Sequence, residues 1–158
     1  MPIYVQYGKI TGDVTAAGHE KWIEVNSFQW GVGRGISSPT GGSANRESSA
    51  PSVSEIVVTK PTDSSTSKLL DESLQGEGED VTIDFVKTDK GKLEVYMSYT
   101  LNDTLISGFS MSSGGDKPQE SVSFNFAKIA LKTIEMDVKG AAGTPATVTY
   151  DVGQAKVV

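Results

Sequence analysis

His19 is the chain's single imidazole, and so the one side chain suited to act as general base for a nucleophilic serine near neutral pH. It stands in Ala16-Ala17-Gly18-His19-Glu20-Lys21-Trp22, which leads into a strand-like run, and no Gly-x-Ser-x-Gly elbow occurs anywhere. His19 therefore reads as a structural group that hydrogen-bonds a neighbouring loop. The chain has no cysteine, which removes thiol nucleophiles, iron–sulfur clusters and cysteine zinc sites, and a lone histidine argues against a zinc site. Asp71-Glu72, Glu77 and Glu79-Asp80 could pair for acid–base work, but acids side by side on a helix and its exit ordinarily form a solvated face. Gly31-Val32-Gly33-Arg34-Gly35 lacks the Gly-Lys-Ser/Thr ending of a phosphate loop, and its small residues fit a strand bend or a close subunit approach better. Asn102-Asp103-Thr104 is a formal glycosylation sequon that carries no weight without a secretory signal. The expectation is no catalytic residue, no cofactor and no metal.

The elements around these residues are mostly short strands. Glycine, at 17 of 158 residues, exceeds its usual share of ~7%, and long helical periodicities are scarce. Ile3, Val5 and Tyr7 alternate with polar or small neighbours, as do Val81, Ile83 and Phe85, and Leu93 to Leu101, each predicting a half-buried strand. Thr88-Asp89-Lys90-Gly91 predicts a tight hairpin between the last two. Further strands are expected over 105–111, 122–136 and 146–152. Two runs change phase, one between Val25 and Phe28 and one after Phe126 and again after Leu131, which predicts bulges or bends where a strand turns a barrel corner.

One helix is expected over about residues 64–75, covering a barrel end or sheet edge. Thr62, Asp63 and Ser64 offer cap oxygens, Leu69, Leu70 and Leu74 form an apolar stripe, and Gly76 ends it. In that arrangement Leu70→Asp should cost several kcal/mol through unpaired burial. Residues 37–54 form a long extended loop with seven serines, two prolines and no aromatic residue. Loops above ~12–15 residues are uncommon in compact domains unless they have a use, and an arm ordered on a partner chain is such a use. Trp22 and Trp30 lie inside alternating runs and read as core or interface residues.

A formal net charge of −6 and the lack of a Lys/Arg stripe argue against nucleic acid. No run approaches the ~20 apolar residues of a spanning helix, so no membrane insertion is expected. The length fits one domain, 1–158, able to bury its own core, and the N-terminus has none of the regions of a cleavable secretory signal. Folding in the cytoplasm follows as an expectation.

Longer blocks then resemble a known family. Gly18-His19-Glu20-Lys21-Trp22-Ile23-Glu24-Val25-Asn26-Ser27-Phe28-Gln29-Trp30-Gly31-Val32 is similar to the signature of the haemolysin-coregulated protein (Hcp) family, the tube protein of bacterial type VI secretion systems. Gly35 to Gly42, Arg46-Glu47 and Ala50 to Ile56 resemble that family's extended loop. Lys60, Asp63, Ser64 and the Leu69-Leu70 helix follow, then Tyr99-Thr100-Leu101, Ile106-Ser107-Gly108, Pro118 to Ser121 and Ser123 to Ile129, collinear over nearly the whole chain. Residues 140–158 match least.

The resemblance implies a mainly β protein: a compact antiparallel β-barrel of two sheets with one short helix. It also implies a homohexameric ring and stacked rings with an open lumen, small effector proteins carried inside, and spike, sheath and baseplate proteins as partners. Export would proceed through the type VI machine without a signal peptide, and no appended effector domain is expected. Ser38, Pro39, Thr40, Arg46, Glu47 and Pro51 are then the candidate subunit or ring contacts. A phage tail-tube subunit is the nearest alternative; a carbohydrate-binding β-sandwich, and a hydrolase that requires His19, are the others.

Overall fold

A computed structural model describes residues 1–37, 47–136 and 142–158. Its strands are β1 (Ile3–Tyr7), β2 (Ile23–Val25), β3 (Ser27–Gln29), β4 (Val32–Gly33), β5 (Ile36–Ser37), β6 (Glu47–Ser48), β7 (Ser52–Val53) and β8 (Ile56–Pro61). The helix α1 (Thr66–Gln75) follows, then β9 (Glu79–Asp89), β10 (Lys92–Ser112), β11 (Gln119–Asn125), β12 (Lys128–Met136), β13 (Ala142–Asp151) and β14 (Lys156–Val157).

Ten strands make one antiparallel sheet that folds over on itself. The 21-residue β10 organises it: its first half pairs with β9 and β12, and its second half pairs with β11. Side by side, β2, β1, β9, β10, β12, β13 and β14 form one layer, and β10, β11, β8 and β3 form the other. Among the described residues the hydrogen-bonded ladder does not close, so the expected mainly β, two-sheet architecture is present as an open form of the barrel. At Asn26 the chain leaves β2, on the first layer, for β3, on the second, held there by the Asn26 N–H donating to the Thr59 carbonyl at 2.6 Å. The phase change between Val25 and Phe28 is this switch of layer.

The expected strands over 93–101 and 105–111 are one strand, bent where Asp103 takes φ +50° and the register with β9 shifts. The predicted hairpin is present, with Lys90 at φ +50° and Gly91 at φ +78° between β9 and β10. Of the later phase changes, the one after Phe126 is the connection from β11 to β12, not a bulge. The other is a register shift between Ile134 and Met136 against β13.

Inward-facing residues of both layers meet in a single core that includes Tyr7, Ile23, Ile56, Ile83, Leu101 and Phe124. The helix begins two residues later than expected, at Thr66, and packs on β10, an interior strand. Only Leu69 of its expected stripe enters the core; Leu70 and Leu74 are 43% and 76% exposed. A spacing of i and i+1 separates two side chains by about 100° on a helix, so Leu69 and Leu70 cannot share one face. We accordingly expect Leu70→Asp to melt like the wild type, and Leu69→Ala to lose about 2–5 kcal/mol, in paired thermal unfolding scans. Equal losses at the two positions would contradict this placement.

Ser65 caps the helix without a side-chain cap bond of its own. Asp63 ties the entry instead: its Oδ1 accepts the Ser65 N–H at 2.9 Å. Gly76 ends the helix in an extended conformation, and glycine is required there because a Cβ would sit 2.5 Å from the Glu72 carbonyl oxygen.

Candidate assembly surfaces

The serine-rich stretch is flanked by paired backbone. β4 pairs with β7 and β5 pairs with β6, each a two-stranded ribbon separate from the main sheet. The expected long loop is thus an arm with ribbon sides: Gly35 accepts the Ser49 N–H at 2.9 Å, and Gly31 accepts the Ser54 N–H at 3.0 Å. Val32 and Ile36 are both exposed on it. Of the candidate contacts, Glu47 lies on β6 opposite Ser37, and Pro51 is half-buried just before β7. Ser38, Pro39, Thr40 and Arg46 lie outside the described residues.

At the base of the arm an open groove of about 610 Å³ is lined by Gln29, Trp30, Gly31, Ser54, Glu55, Val57 and Ser123. Trp30 forms part of its wall and packs edge-on against Tyr99, with centroids 5.6 Å apart, so this indole is bound into the core margin. Trp22 meets His19 edge-on at 4.6 Å.

His19 is buried, and its partner is a strand, not the neighbouring loop expected for it. Nε2 lies 2.8 Å from Asp84 Oδ2 on β9, while the Ser98 hydroxyl donates to the other oxygen, Oδ1, at 2.7 Å. Imidazole and hydroxyl thus each bind the shared carboxylate. That geometry clamps the segment between β1 and β2 onto the sheet and forms no nucleophile–base pair, which would require His19 to hold Ser98 itself.

A second buried polar group joins α1 to the sheet. Lys60 and Glu120 are directly opposite in the β8–β11 register, with Nζ 3.0 Å from Oε1. The Lys60 ammonium also lies 3.0 Å from Asp63 Oδ1, and the Thr66 hydroxyl donates to Glu120 Oε2 at 2.6 Å. Neither Lys60 nor Glu120 was singled out by chemistry in the sequence, yet both occupy buried parity positions, Lys60 with Ile56 and Val58, and Glu120 with Val122 and Phe124. A charged residue at an inward position on each of two strands is the sign that marks such a pair.

Beside α1, a recess of about 280 Å³ is lined by Tyr7, Lys9, Ile10, Lys68, Asp71, Glu72 and Glu79. The Tyr7 hydroxyl donates to the Thr104 carbonyl at 2.9 Å, and burial, then Glu72 and Glu79, push its phenol well up. Glu72 is raised above the ordinary glutamate value by burial first, then by Glu79 and Asp71. A carboxyl that holds its proton more tightly when folded adds stability below its unfolded value, and that contribution fades as pH rises through the folded value. Glu72→Gln is therefore expected to melt higher than wild type at pH 7, with the gap narrowing toward pH 4. A gap that widens on acidification, in melts taken across that range, would reverse the sign assigned to Glu72.

Among the described residues, no helix is long and apolar enough to cross a membrane. A folded-over antiparallel sheet, two ribbons separate from it, edge strands at β3 and β14, and polar groups arranged as clamps define the class: a β-rich protein whose sheet ends in open edge strands. The particular family follows from comparison. A family model described as "Type VI secretion system effector, Hcp" matches residues 4–132, and the chain belongs to the Hcp family, the tube proteins of type VI secretion systems, which assemble into rings and leave the cell through that machinery.

A solved "type six secretion system protein" superposes with TM-score 0.91 at 25% identity, covering 99% of both chains. Hcp1 from Salmonella typhimurium shares the fold at TM-score 0.76 and 19% identity, over 99% of this chain and 98% of that one. Hcp3 from Pseudomonas aeruginosa, a secreted protein, does so at TM-score 0.65 and 23% identity, over 95% and 99%. Among proteins of curated function, none matches this chain in sequence.

Proposed function

We propose that this chain is a one-domain, non-catalytic subunit that closes into a homohexameric ring, and that the rings stack into the tube of a type VI secretion machine. Small effector proteins ride in the lumen, and spike, sheath and baseplate proteins are the partners at its ends and outer wall. The chain folds in the cytoplasm and leaves through the machine. The observation that carries this reading is the family match across residues 4–132, joined to a fold shared end to end with a type six secretion system protein.

Several features support it. The fold leaves uncovered edge strands that a neighbouring copy can extend, and heterologous contacts of that kind close into rings. Val32 and Ile36 on the described part of the arm are exposed, and the contacts proposed for Ser38, Pro39, Thr40, Arg46, Glu47 and Pro51 belong to the same segment. The lone histidine is committed to Asp84, which leaves no free imidazole for catalysis among the described residues. Negative-stain images combined with a solution mass should show six-fold rings of six copies. A monomer that persists at working concentration would defeat the proposal.

A further inference from the structure

The exit of α1 gathers like charge. Residues 71–80 hold five acidic side chains and no basic one. Two of them, Glu72 on α1 and Glu79 at the start of β9, line the recess of about 280 Å³ beside the helix. Glu72 Oε2 is buried without a hydrogen-bond partner and lies against Gly76, while Glu79 Oε2 stands over Gly8, where a Cβ would meet it at 2.7 Å. Among the described residues neither carboxylate has a lysine or arginine nitrogen within 4.0 Å. Of the two lysines in the recess, Lys68 donates to the Thr11 hydroxyl at 3.3 Å and Lys9 pairs with neither acid. Asp71 accepts the Gln75 side-chain amide at 2.5 Å. From β10, on which α1 packs, Asp103 presents its carboxylate to Gly78, and Asp80 of β9 accepts the Asn102 side-chain amide at 3.3 Å. The neighbours of Glu72 therefore add negative charge, and so does the C-terminal end of the helix dipole.

The chain beside this cluster can move without disturbing the core. Gly76-Glu77-Gly78 connects α1 to β9, extended at Gly76 and with φ +116° at Gly78, a conformation that favours glycine. Upstream, Leu69 is 2% exposed and anchors the helix; downstream, β9 is paired to β1 from Val81 onward. Between those two fixed points lie the last turn of α1 and the connection. A carboxyl in such a setting favours its protonated form, and burial, Glu79 and Asp71 act on Glu72 in that direction.

We propose that the exit of α1 is an acid-closed latch: with Glu72 protonated the last turn and the 76–78 connection stay closed over the recess, and with Glu72 ionised they part from Glu79 while Leu69 keeps the rest of the helix docked. The closed form binds the proton more tightly, so its advantage is complete in acid and fades as pH rises through the raised value of Glu72. The device belongs to the single chain and does not depend on the ring reading.

Hydrogen exchange of the full-length protein, followed amide by amide and expressed relative to the unstructured rate at each pH, tests this. The Gly76 N–H, which donates to the Glu72 carbonyl at 2.9 Å, should lose at least ten-fold in protection between pH 4 and pH 7. The Leu69 N–H, bonded to the Ser65 carbonyl at 2.9 Å, should keep its protection over the same range. Glu72→Gln should hold the Gly76 protection constant within two-fold, and Glu79→Gln, which leaves Glu72 in place, should reduce the loss. Equal Gly76 protection at the two pH values in wild type overturns the latch. So does a loss that persists in Glu72→Gln, that Glu79→Gln leaves undiminished, or that Leu69 shares, since each places the opening elsewhere.

Discussion

Lys60→Met is expected to remove about 3–5 kcal/mol of stability, because it leaves the Glu120 carboxylate buried without its counter-charge. Lys60 and Glu120 are each 1% exposed, and the ammonium holds two carboxylates, from Asp63 and Glu120, within 3.0 Å. Methionine fills nearly the same volume, so the loss reports desolvated charge and not a cavity. Glu120 would keep only the Thr66 hydroxyl, and Asp63, which orders the entry to α1, would lose its cation. Replacing both members, Lys60→Met with Glu120→Leu, should recover most of the loss, since a well-packed apolar pair often equals a buried ion pair in stability. Urea unfolding of the two variants and wild type measures this directly. A single-variant loss below about 1 kcal/mol, the range of exposed pairs, would show that water reaches the site.

Deletion of residues 39–50 should do the reverse, sparing the monomer and abolishing assembly. The β4–β7 ribbon lies outside the deletion, and of the described residues removed, 47–50, none belongs to the core cluster. Among the described residues the main sheet bonds to neither ribbon, so the melting temperature is expected to stay within a few degrees of wild type, as for a shortened surface loop. The contacts proposed for Pro39, Thr40, Arg46 and Glu47 vanish with the deletion, and those of Ser38 and Pro51 are displaced. Mass and imaging of the variant beside wild type give the readout; tubes of wild-type length from the deletion variant would remove the arm from the assembly.

These two outcomes separate what folds the subunit from what joins its copies. The same separation marks how far the sequence could be read. Period-two alternation located β1, β9 and much of β10, and the phase change after Val25 marked the passage from one layer to the other at Asn26. Such patterns are legible because a strand's two faces meet different solvents, and residue type records which. The α1 stripe was misread for the same kind of reason: three leucines within six residues look like one face, but 100° per residue splits them, and only Leu69 turns inward.

The functional surfaces divide likewise. By itself the sequence excluded thiol nucleophiles, iron–sulfur clusters and cysteine zinc sites, since it has no cysteine, and it pointed to the family through long collinear blocks. It also marked the serine-rich arm as something that needs a use. Only the tertiary structure decided that His19 and Ser98 share Asp84, that Lys60 and Glu120 neutralise each other in the core, and that Glu72 and Glu79 line one recess. A sequence records what a side chain is and which face of its own element it takes. What lies across that face depends on register and layer packing between residues as distant as Lys60 and Glu120, and that distance in the chain is closed only by the fold.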